Sequence, residues 1–338
     1  AAAAASPSAS SSSVAAAALA ATKAQLGGCF NRSDPYDKFA AIRTYKFPHR
    51  TACWAPDSYG TPPDFDDVRV TPQYAAHLRT LAPIPKRIHL VWTGPDLLRD
   101  LGHVPMVQYG VAQLRSMNPD WTFTVNDLTA VDAYLAEHLA DADWKMLRNA
   151  NIATKSDIFR LLVLYREGGL YMDPDRLYNL PMHTVLRNTT RVLLPFAGDM
   201  TFTTDFMCTA AWNALFLRAV QLYLCQLRES HAQGLTQWHR LSAEQLHIVT
   251  VEAAGTFYAA VMDTVFGRPY WGPYEHAVDG DEGAAFARHL RAEVAANEHM
   301  LTHREVWCDL IVSKHPNCHH ISKQELLAAA KMKQWDAE

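Results

Sequence analysis

Two carboxylates stand astride a proline, Asp173-Pro174-Asp175, just after a glycine pair in the stretch EGGLYMDPD, residues 167–175. Side chains two apart on an extended chain share a face, so Asp173 and Asp175 can point the same way. Pro174 fixes φ near about −65° and removes one N–H, which stiffens that geometry. Carboxylates so placed repel each other unless a cation or a proton lies between them. Mg2+ or Mn2+, joining one or two carboxylates to a diphosphate, resolves the conflict and supplies chemistry. A solvated Asp-Pro-Asp turn is the alternative that any isolated pair of this kind must overcome.

Further residues upstream and downstream bear on the choice. Asp157 and Arg160 are spaced i, i+3, so a helix would place them on one face. Thr154 and Asp157 also have the spacing of a capping box, in which Asp157 would serve a helix N-terminus and Arg160 would be its local ion-pair partner. Near the C-terminus, SKHPNCHH brings His315, Cys318, His319 and His320 together. Their spacing fits no standard zinc finger, and a chain with 16 His produces such clusters by chance.

The elements that must hold these residues read as α/β. In PIPKRIHLVWTGP, Ile88, Leu90 and Trp92 alternate with His89 and Val91 before Gly94-Pro95, the pattern of a strand running into a loop. VPMVQYGVAQLRSMNPD has helical spacing with an Asn-Pro stop, and WTFTVND reads as a second strand. Strand, helix and strand at that spacing predict a βαβ unit and a parallel sheet, with ligands at the carboxyl ends of the strands. Residues 129–150 read as helical. Ile152–Arg166 reads as a helix with Ile158, Leu161, Leu162 and Tyr165 on one apolar stripe. Gly168-Gly169 would end it, because glycine tolerates the left-handed position after a helix. LYMD then reads as a short buried strand that delivers Asp173 to the sheet edge. Later strands are expected at RVLLPFA and around TFTTDFM, and helices near 213–230, 241–265, 283–296 and 322–332.

The composition sets outer bounds. With 338 residues, 49% hydrophobic and 20% charged, the chain can bury a substantial core. The net charge of −4 gives no basic footprint, so nucleic acid is not an expected partner. No run of about 18 apolar residues is present, and no membrane span is expected. Residues 1–28, almost wholly Ala and Ser, read as a low-complexity stem or linker, one that truncation of an upstream anchor would leave. Residues 29–83 read as an irregular wrapping segment and 84–338 as the catalytic domain. Cys208 and Cys225 look like core, while Cys29–Cys53 and Cys308–Cys318 are possible bridges that sequence cannot pair. With sequons at Asn31 and Asn188, the cysteines lean towards a Golgi or secretory-pathway lumen, a cytoplasmic location staying open.

Residues 149–175, NANIATKSDIFRLLVLYREGGLYMDPD, resemble the core block of glycosyltransferases that carry a sugar-binding region with a D-x-D motif. The resemblance lies in Ala153-x-x-Ser156-Asp157-x-x-Arg160, in Tyr165-x-x-Gly168-Gly169-x-Tyr171, and in Asp173-x-Asp175. IPKRIHLVWTG is similar to the first strand of the same family. That family (the family 32 type) includes initiating α-1,6-mannosyltransferases and α-1,4-galactosyltransferases, with the glucosylating domains of clostridial toxins more distant. The resemblance implies a GT-A fold, that is, a Rossmann-like α/β domain with a mostly parallel central sheet flanked by helices, here with helical additions. It also implies a nucleotide-sugar donor, a UDP-hexose or GDP-mannose, with Mn2+ or Mg2+ as cofactor. The acceptor would be a glycan, glycolipid or glycoprotein hydroxyl, with anomeric configuration retained.

Carried onto matching positions, Asp175 would bind the metal directly, and Asp173 would contact the donor and reach the metal. Asp157 and Arg160 would grip donor sugar hydroxyls or the diphosphate. Trp92 would stack on the nucleotide base, and Tyr171 would pack beneath the site. His319 and His320 stand where relatives have a late histidine segment that can add a metal ligand, but the following ISKQE lacks their Gly-Ser-Trp-like tail. Asp205, in TTDFM, is a candidate for the neighbourhood of the anomeric carbon, since no double-displacement nucleophile is evident. Two competing readings are a glycosyltransferase-like domain that binds without turnover, and a phosphohydrolase with an aspartyl nucleophile. The latter wants Thr or Val where this chain has Leu177.

Overall fold

A computed structural model of the chain describes residues 67–92, 105–150, 152–174, 176–178, 181–194, 196–197, 201–202, 204–232, 256–267, 281–302 and 307–309. The helix expected near 322–332, the first part (241–255) of the helix expected near 241–265, and Cys29, Cys53 and Cys318 lie outside what it describes, so neither possible cysteine bridge can be followed.

The first described element is a helix, α1 (Pro72–Thr80), in a segment whose sequence shows no clear periodicity. Thr71 caps it by accepting the Tyr74 N–H at 3.3 Å, and Pro72 opens it, where a missing N–H costs nothing. Only Tyr74 and Leu78 are buried, a stripe too narrow to show as an amphipathic pattern. β1 (Arg87–Val91), α2 (Pro105–Met117) and β2 (Thr122–Asn126) form the βαβ unit that the sequence predicts. β2 runs parallel to β1 with Arg87 opposite Thr122 and Val91 opposite Asn126. Asn118 ends α2 by donating from Nδ2 to the Leu114 carbonyl at 2.9 Å.

The helical stretch expected over 129–150 is two helices, α3 (Leu128–His138) and α4 (Asp141–Leu147). Leu139 and Ala140 break them with extended backbone, and Asp141 and Asp143 occupy the first turn of α4, where carboxylates favour a new helix start. α5 (Ile152–Glu167) is buried on every side from Thr154 to Tyr165, more than the single apolar stripe implies. Thr154 lies inside this helix, so it is not the N-cap and the capping-box reading of Asp157 does not hold. Gly168 and Gly169 follow at φ +68° and +98° and lead straight into β3 (Gly169–Met172). A Cβ on Gly168 would lie 2.6 Å from the Ala211 nitrogen, and one on Gly169 only 2.5 Å from the Arg87 carbonyl oxygen. Both positions therefore require glycine for conformation and for space.

Short pieces follow: β4 (Arg176–Tyr178), α6 (Met182–Val185), β5 (Val192–Leu193), β6 (Phe196–Ala197), β7 (Thr201–Phe202) and β8 (Phe206–Thr209). The strand expected at RVLLPFA is split between β5 and β6. Then come α7 (Ala214–Ala232), a helical stretch over 256–264 (α8), α9 (Asp281–Ala296), β9 (Met300–Leu301) and β10 (Trp307–Asp309).

The main sheet has six strands in the order β2-β1-β3-β8-β5-β9. β8 alone runs antiparallel to its neighbours β3 and β5, so the other strands share one direction. β2, at an edge, alternates between exposed and covered positions, whereas β3 and β8 are buried throughout. Alternate residues feed two cores. Leu90, Leu170, Met172 and Cys208 face α2 and α6, while Val91, Tyr171, Met207 and Val192 face α5, α7, α8 and α9. This is the α/β, mostly parallel, helix-flanked sheet that the resemblance implied. Among the described residues, no helix is long and apolar enough to cross a membrane.

Candidate active site

The carboxyl ends of β1, β2 and β3 lie along one edge of the sheet. Register places Ile88 beside Leu170 and His89 beside Tyr171, so Val91 comes level with Asp173 and Trp92 follows one residue further on, on the α2 face of the same edge. β8 runs the other way, and its start brings Thr204 and Asp205 to that edge. The Asp173 N–H donates to the Asp205 carbonyl at 2.8 Å. Parallel strands at such an edge leave room for a ligand.

Arg160 organises the acids at this edge. Its Nη2 meets Asp157 Oδ1 at 3.1 Å, and its Nη1 meets Asp173 Oδ2 at 3.4 Å. Nη1 also donates to the Thr204 carbonyl at 2.9 Å, and Nε to the Ser156 carbonyl at 3.4 Å. The guanidinium lies 4.8 Å from the centre of the Tyr171 ring, a cation–π contact. Among the described residues these partners engage four of the five N–H groups of an arginine.

Each carboxylate is held on its second oxygen by a tyrosine. Tyr171 donates to Asp173 Oδ1 at 2.8 Å, and Tyr223, from α7, donates to Asp157 Oδ2 at 3.3 Å. The result is a continuous chain, Tyr223–Asp157–Arg160–Asp173–Tyr171, with one cation between two acids. Asp157, Arg160, Tyr171 and Tyr223 are buried, and Asp173 is partly open.

Burial pushes the Asp157 carboxyl up to about 7; Arg160 pulls against that shift, Asp173 adds to it, and the Tyr223 hydrogen bond opposes it. The physical reason is that one guanidinium charge is shared by two acids in a dry site, so a proton on Asp157 neutralises the group. Burial also works against the charge on Arg160, but Asp173, the Tyr171 oxygen, Asp157 and Asp205 outweigh it and hold the guanidinium above its ordinary value. Burial first, with Asp173 adding to it, raises the Tyr171 phenol well above its usual range.

Of the residues expected from sequence, the structure brings Asp157, Arg160, Tyr171 and Asp173 into contact. The bland reading of Arg160, a local ion-pair partner for Asp157, is present within that larger cluster. Asp205 touches the cluster through its backbone. Trp92 follows β1, half-buried against the core on the α2 face, with its N–H bonded to the Asn126 carbonyl at 2.9 Å. Asp175, His319 and His320 lie outside the described residues, although β10 pairs with β4 and sets Asp309 opposite Arg176, one residue past Asp175. Sequence reasoning passed over Tyr223 and the Thr204 carbonyl. Both reach the site across long stretches of chain, and no local spacing signals either.

The donor set suits a hard cation that keeps most of its ligands from elsewhere. Asp173 has one lone pair of each oxygen committed to Arg160 or Tyr171 and can offer another. Among the described residues, no group of three His, Cys, Asp or Glu side chains could hold a metal ion. Mg2+ and Mn2+ sites built from one or two carboxylates plus substrate phosphates need no such group.

Fold and site together define an α/β protein with an arginine-bridged pair of acids at the carboxyl edge of a mostly parallel sheet. Residues 105–192 match the family described as glycosyltransferase sugar-binding region containing DXD motif. That span runs from α2 through β5 and includes the whole arginine-bridged acid pair. No curated protein is detectably similar to the chain in sequence. Among solved structures, one named PaToxG Glycosyltransferase is similar at 14% identity, over 77% of this chain and 92% of that one, with a TM-score of 0.35, too low to build on.

Proposed function

We propose that this chain is a metal-dependent, retaining glycosyltransferase that moves a hexose from a nucleotide sugar, a UDP-hexose or GDP-mannose, to a hydroxyl of a glycan or glycoconjugate. The observation that carries the reading is the arginine-bridged pair, Asp157 and Asp173, at a sheet edge and inside the stretch similar to glycosyltransferase sugar-binding regions, with Asp175 two residues after Asp173 in the sequence. In this reading Asp173 and Asp175 hold Mn2+ or Mg2+. The ion, when bound, stabilises the negative charge that develops on the departing diphosphate.

The protein's own residues do the rest. Asp157 accepts from donor hydroxyls, and Arg160 donates to another. Trp92, at the same edge, offers a ring face to the base, and Asp205 lies near the reacting carbon. Because the acids and the arginine are mutually fixed before a donor arrives, little reorganisation accompanies binding. The acceptor hydroxyl attacks from the face the diphosphate leaves, and a phosphate oxygen of the donor takes its proton. Asn188, in the sequon Asn188-Thr189-Thr190, is exposed in a turn, which supports a secretory-lumen location.

The test is hydrolysis and transfer with UDP-galactose, UDP-glucose, UDP-N-acetylglucosamine and GDP-mannose, with and without Mn2+, on wild type and Asp175→Asn. Turnover of one donor that needs Mn2+ and is lost in Asp175→Asn supports the reading. Metal-dependent nucleotide binding without turnover favours a silent binding domain. Near-normal turnover in Asp175→Asn removes the metal assignment.

A further inference from the structure

Asp157 and Asp173 are held in the same manner, but their second partners differ in origin. Tyr171 belongs to the strand that carries Asp173, whereas Tyr223 comes from α7, 66 residues from Asp157 along the chain. Packing of α7 on α5 buries Tyr223 within the core, so its ring is fixed and its hydroxyl is aimed at Asp157 Oδ2 from the side opposite Arg160. A buried carboxylate with only one partner would be free to rotate about its terminal torsion, which is broad and roughly two-fold. With Arg160 on Oδ1 at 3.1 Å and Tyr223 on Oδ2 at 3.3 Å, that torsion is set.

We propose that Tyr223 is a positioning residue for the sugar half of the donor, acting through Asp157 by fixing the plane of its carboxylate. The proposal rests on the glycosyltransferase reading given above and adds to it a residue from outside the matched stretch, which ends at residue 192. Tyr223 touches neither donor nor metal in this scheme. Its hydroxyl takes one lone pair of Oδ2 and leaves the rest of the carboxylate presented in one orientation to incoming hydroxyls. Among the described residues, the groups facing Asp157 are Arg160 on its own helix, Asp173 beyond β3 and Tyr223 on α7. Only the last can be changed by a single atom without altering the charge of the site.

The specific consequence is a split between sugar and nucleotide. Tyr223→Phe removes one oxygen and leaves the ring in the α5–α7 packing. The hydrogen bond is worth about 1 kcal/mol and is made with or without donor, so that figure bounds what misorienting Asp157 can cost, and affinity for a sugar nucleotide should fall by up to about 5-fold. Affinity for the nucleotide diphosphate alone should not change, because in this scheme Asp157 contacts only sugar hydroxyls. If Tyr223 acts only through Asp157, the double variant Tyr223→Phe/Asp157→Asn should bind no more weakly than Asp157→Asn alone.

The experiment is calorimetric titration of wild type, both single variants and the double variant with UDP, UDP-glucose, GDP and GDP-mannose in Mn2+ buffer, with thermal melts of each. A loss confined to the sugar nucleotide and absent from the Asp157→Asn background supports the positioning role. An equal loss for the diphosphate and the sugar nucleotide overturns it in favour of a packing role. So does unchanged sugar-nucleotide binding, or full additivity with Asp157→Asn. Wild type that binds none of these ligands overturns the glycosyltransferase reading itself, and the role of Tyr223 with it.

Discussion

Replacing Arg160 with Met tests whether one guanidinium holds the acid pair together. Removing one partner of a buried ion pair costs about 3–5 kcal/mol, because the other charge is left without compensation. Here two carboxylates and the Thr204 carbonyl lose their shared donor, which argues for the upper part of that range. Met fills much of the vacated volume with a flexible apolar chain, and Asp157 can escape its own cost by taking a proton. The expected net cost is about 4 kcal/mol near neutral pH, a large share of the roughly 5–15 kcal/mol that a folded domain commands.

The cost must also depend on pH in a stated direction. The Asp157 carboxyl is raised from 3.8 to about 7 in the folded chain, so its contribution is full below its unfolded value and is lost as pH rises through about 7. Removing Arg160 takes away what pulls the carboxyl down, and its proton is then held to still higher pH. Wild type and variant should differ least where Asp157 is protonated in both, and most where wild type has an ionised, paired Asp157. Urea denaturation at about pH 5.5 and about pH 8.5 reads this directly, with the larger gap at the higher pH. The double variant Arg160→Met/Asp157→Asn should recover about 1–2 kcal/mol at the higher pH, because the stranded carboxylate is gone. A cost below about 1 kcal/mol at both pH values, or a gap that widens in acid, would refute the assignment of Arg160 as the holder of the pair.

Two further outcomes concern the frame around the site. Gly169→Ala combines a φ of +98° with a Cβ 2.5 Å from the Arg87 carbonyl oxygen, so it should cost at least about 3 kcal/mol in urea denaturation, and a loss under about 1 kcal/mol would mean the turn can relax. His77 Nε2 accepts the Ala214 N–H at the start of α7 at 3.0 Å, and burial lowers its proton affinity below the ordinary histidine value, so the neutral ring stabilises the fold above about pH 6.5 and that support is lost as pH falls through the lowered value. His77→Gln, whose side-chain carbonyl can accept the same N–H without titrating, should flatten the acid limb of melting temperature against pH; an unchanged limb would remove His77 from the account.

How much of this was legible in the sequence follows from how local each feature is. β1, α2 and β2 announce themselves by period, because each must bury a face whatever its neighbours do. α5 and β3 are legible for the same reason, and Gly168-Gly169 punctuates them. α1 was missed because its burial is confined to Tyr74 and Leu78, although Thr71-Pro72 is a start signal in plain view. The break between α3 and α4 was missed because Leu139 is as apolar as its neighbours, and the signal lies instead in Asp141 and Asp143. Tyr223 was beyond reach, since a tyrosine on an apolar helix face reads as core until the helix opposite is known to carry Asp157. The Thr204 carbonyl has no side-chain signature at all.

The spacing between Arg160 and Asp173 shows why the glycine pair belongs to the site as much as the acids do. From Arg160 to the end of α5 is seven residues of helix, about 10 Å at 1.5 Å per residue. From Gly169 to Asp173 is four residues of strand, about 13 Å at 3.3 Å per residue. Two segments of nearly equal length meet at their far ends only if the chain reverses tightly between them. Glycines at φ +68° and +98° make that reversal, and no side chain fits at either. His89 then fastens the corner to β1, with its Nε2 3.1 Å from the Gly168 carbonyl oxygen. Lengthening the link by one residue would displace Asp173 from Arg160 by a strand step and flip its side chain to the other face. Asp173 is therefore aimed by a corner 4 to 5 residues earlier, and an insertion between Gly168 and Gly169 should dissolve the Arg160–Asp173 pair even with every site residue retained.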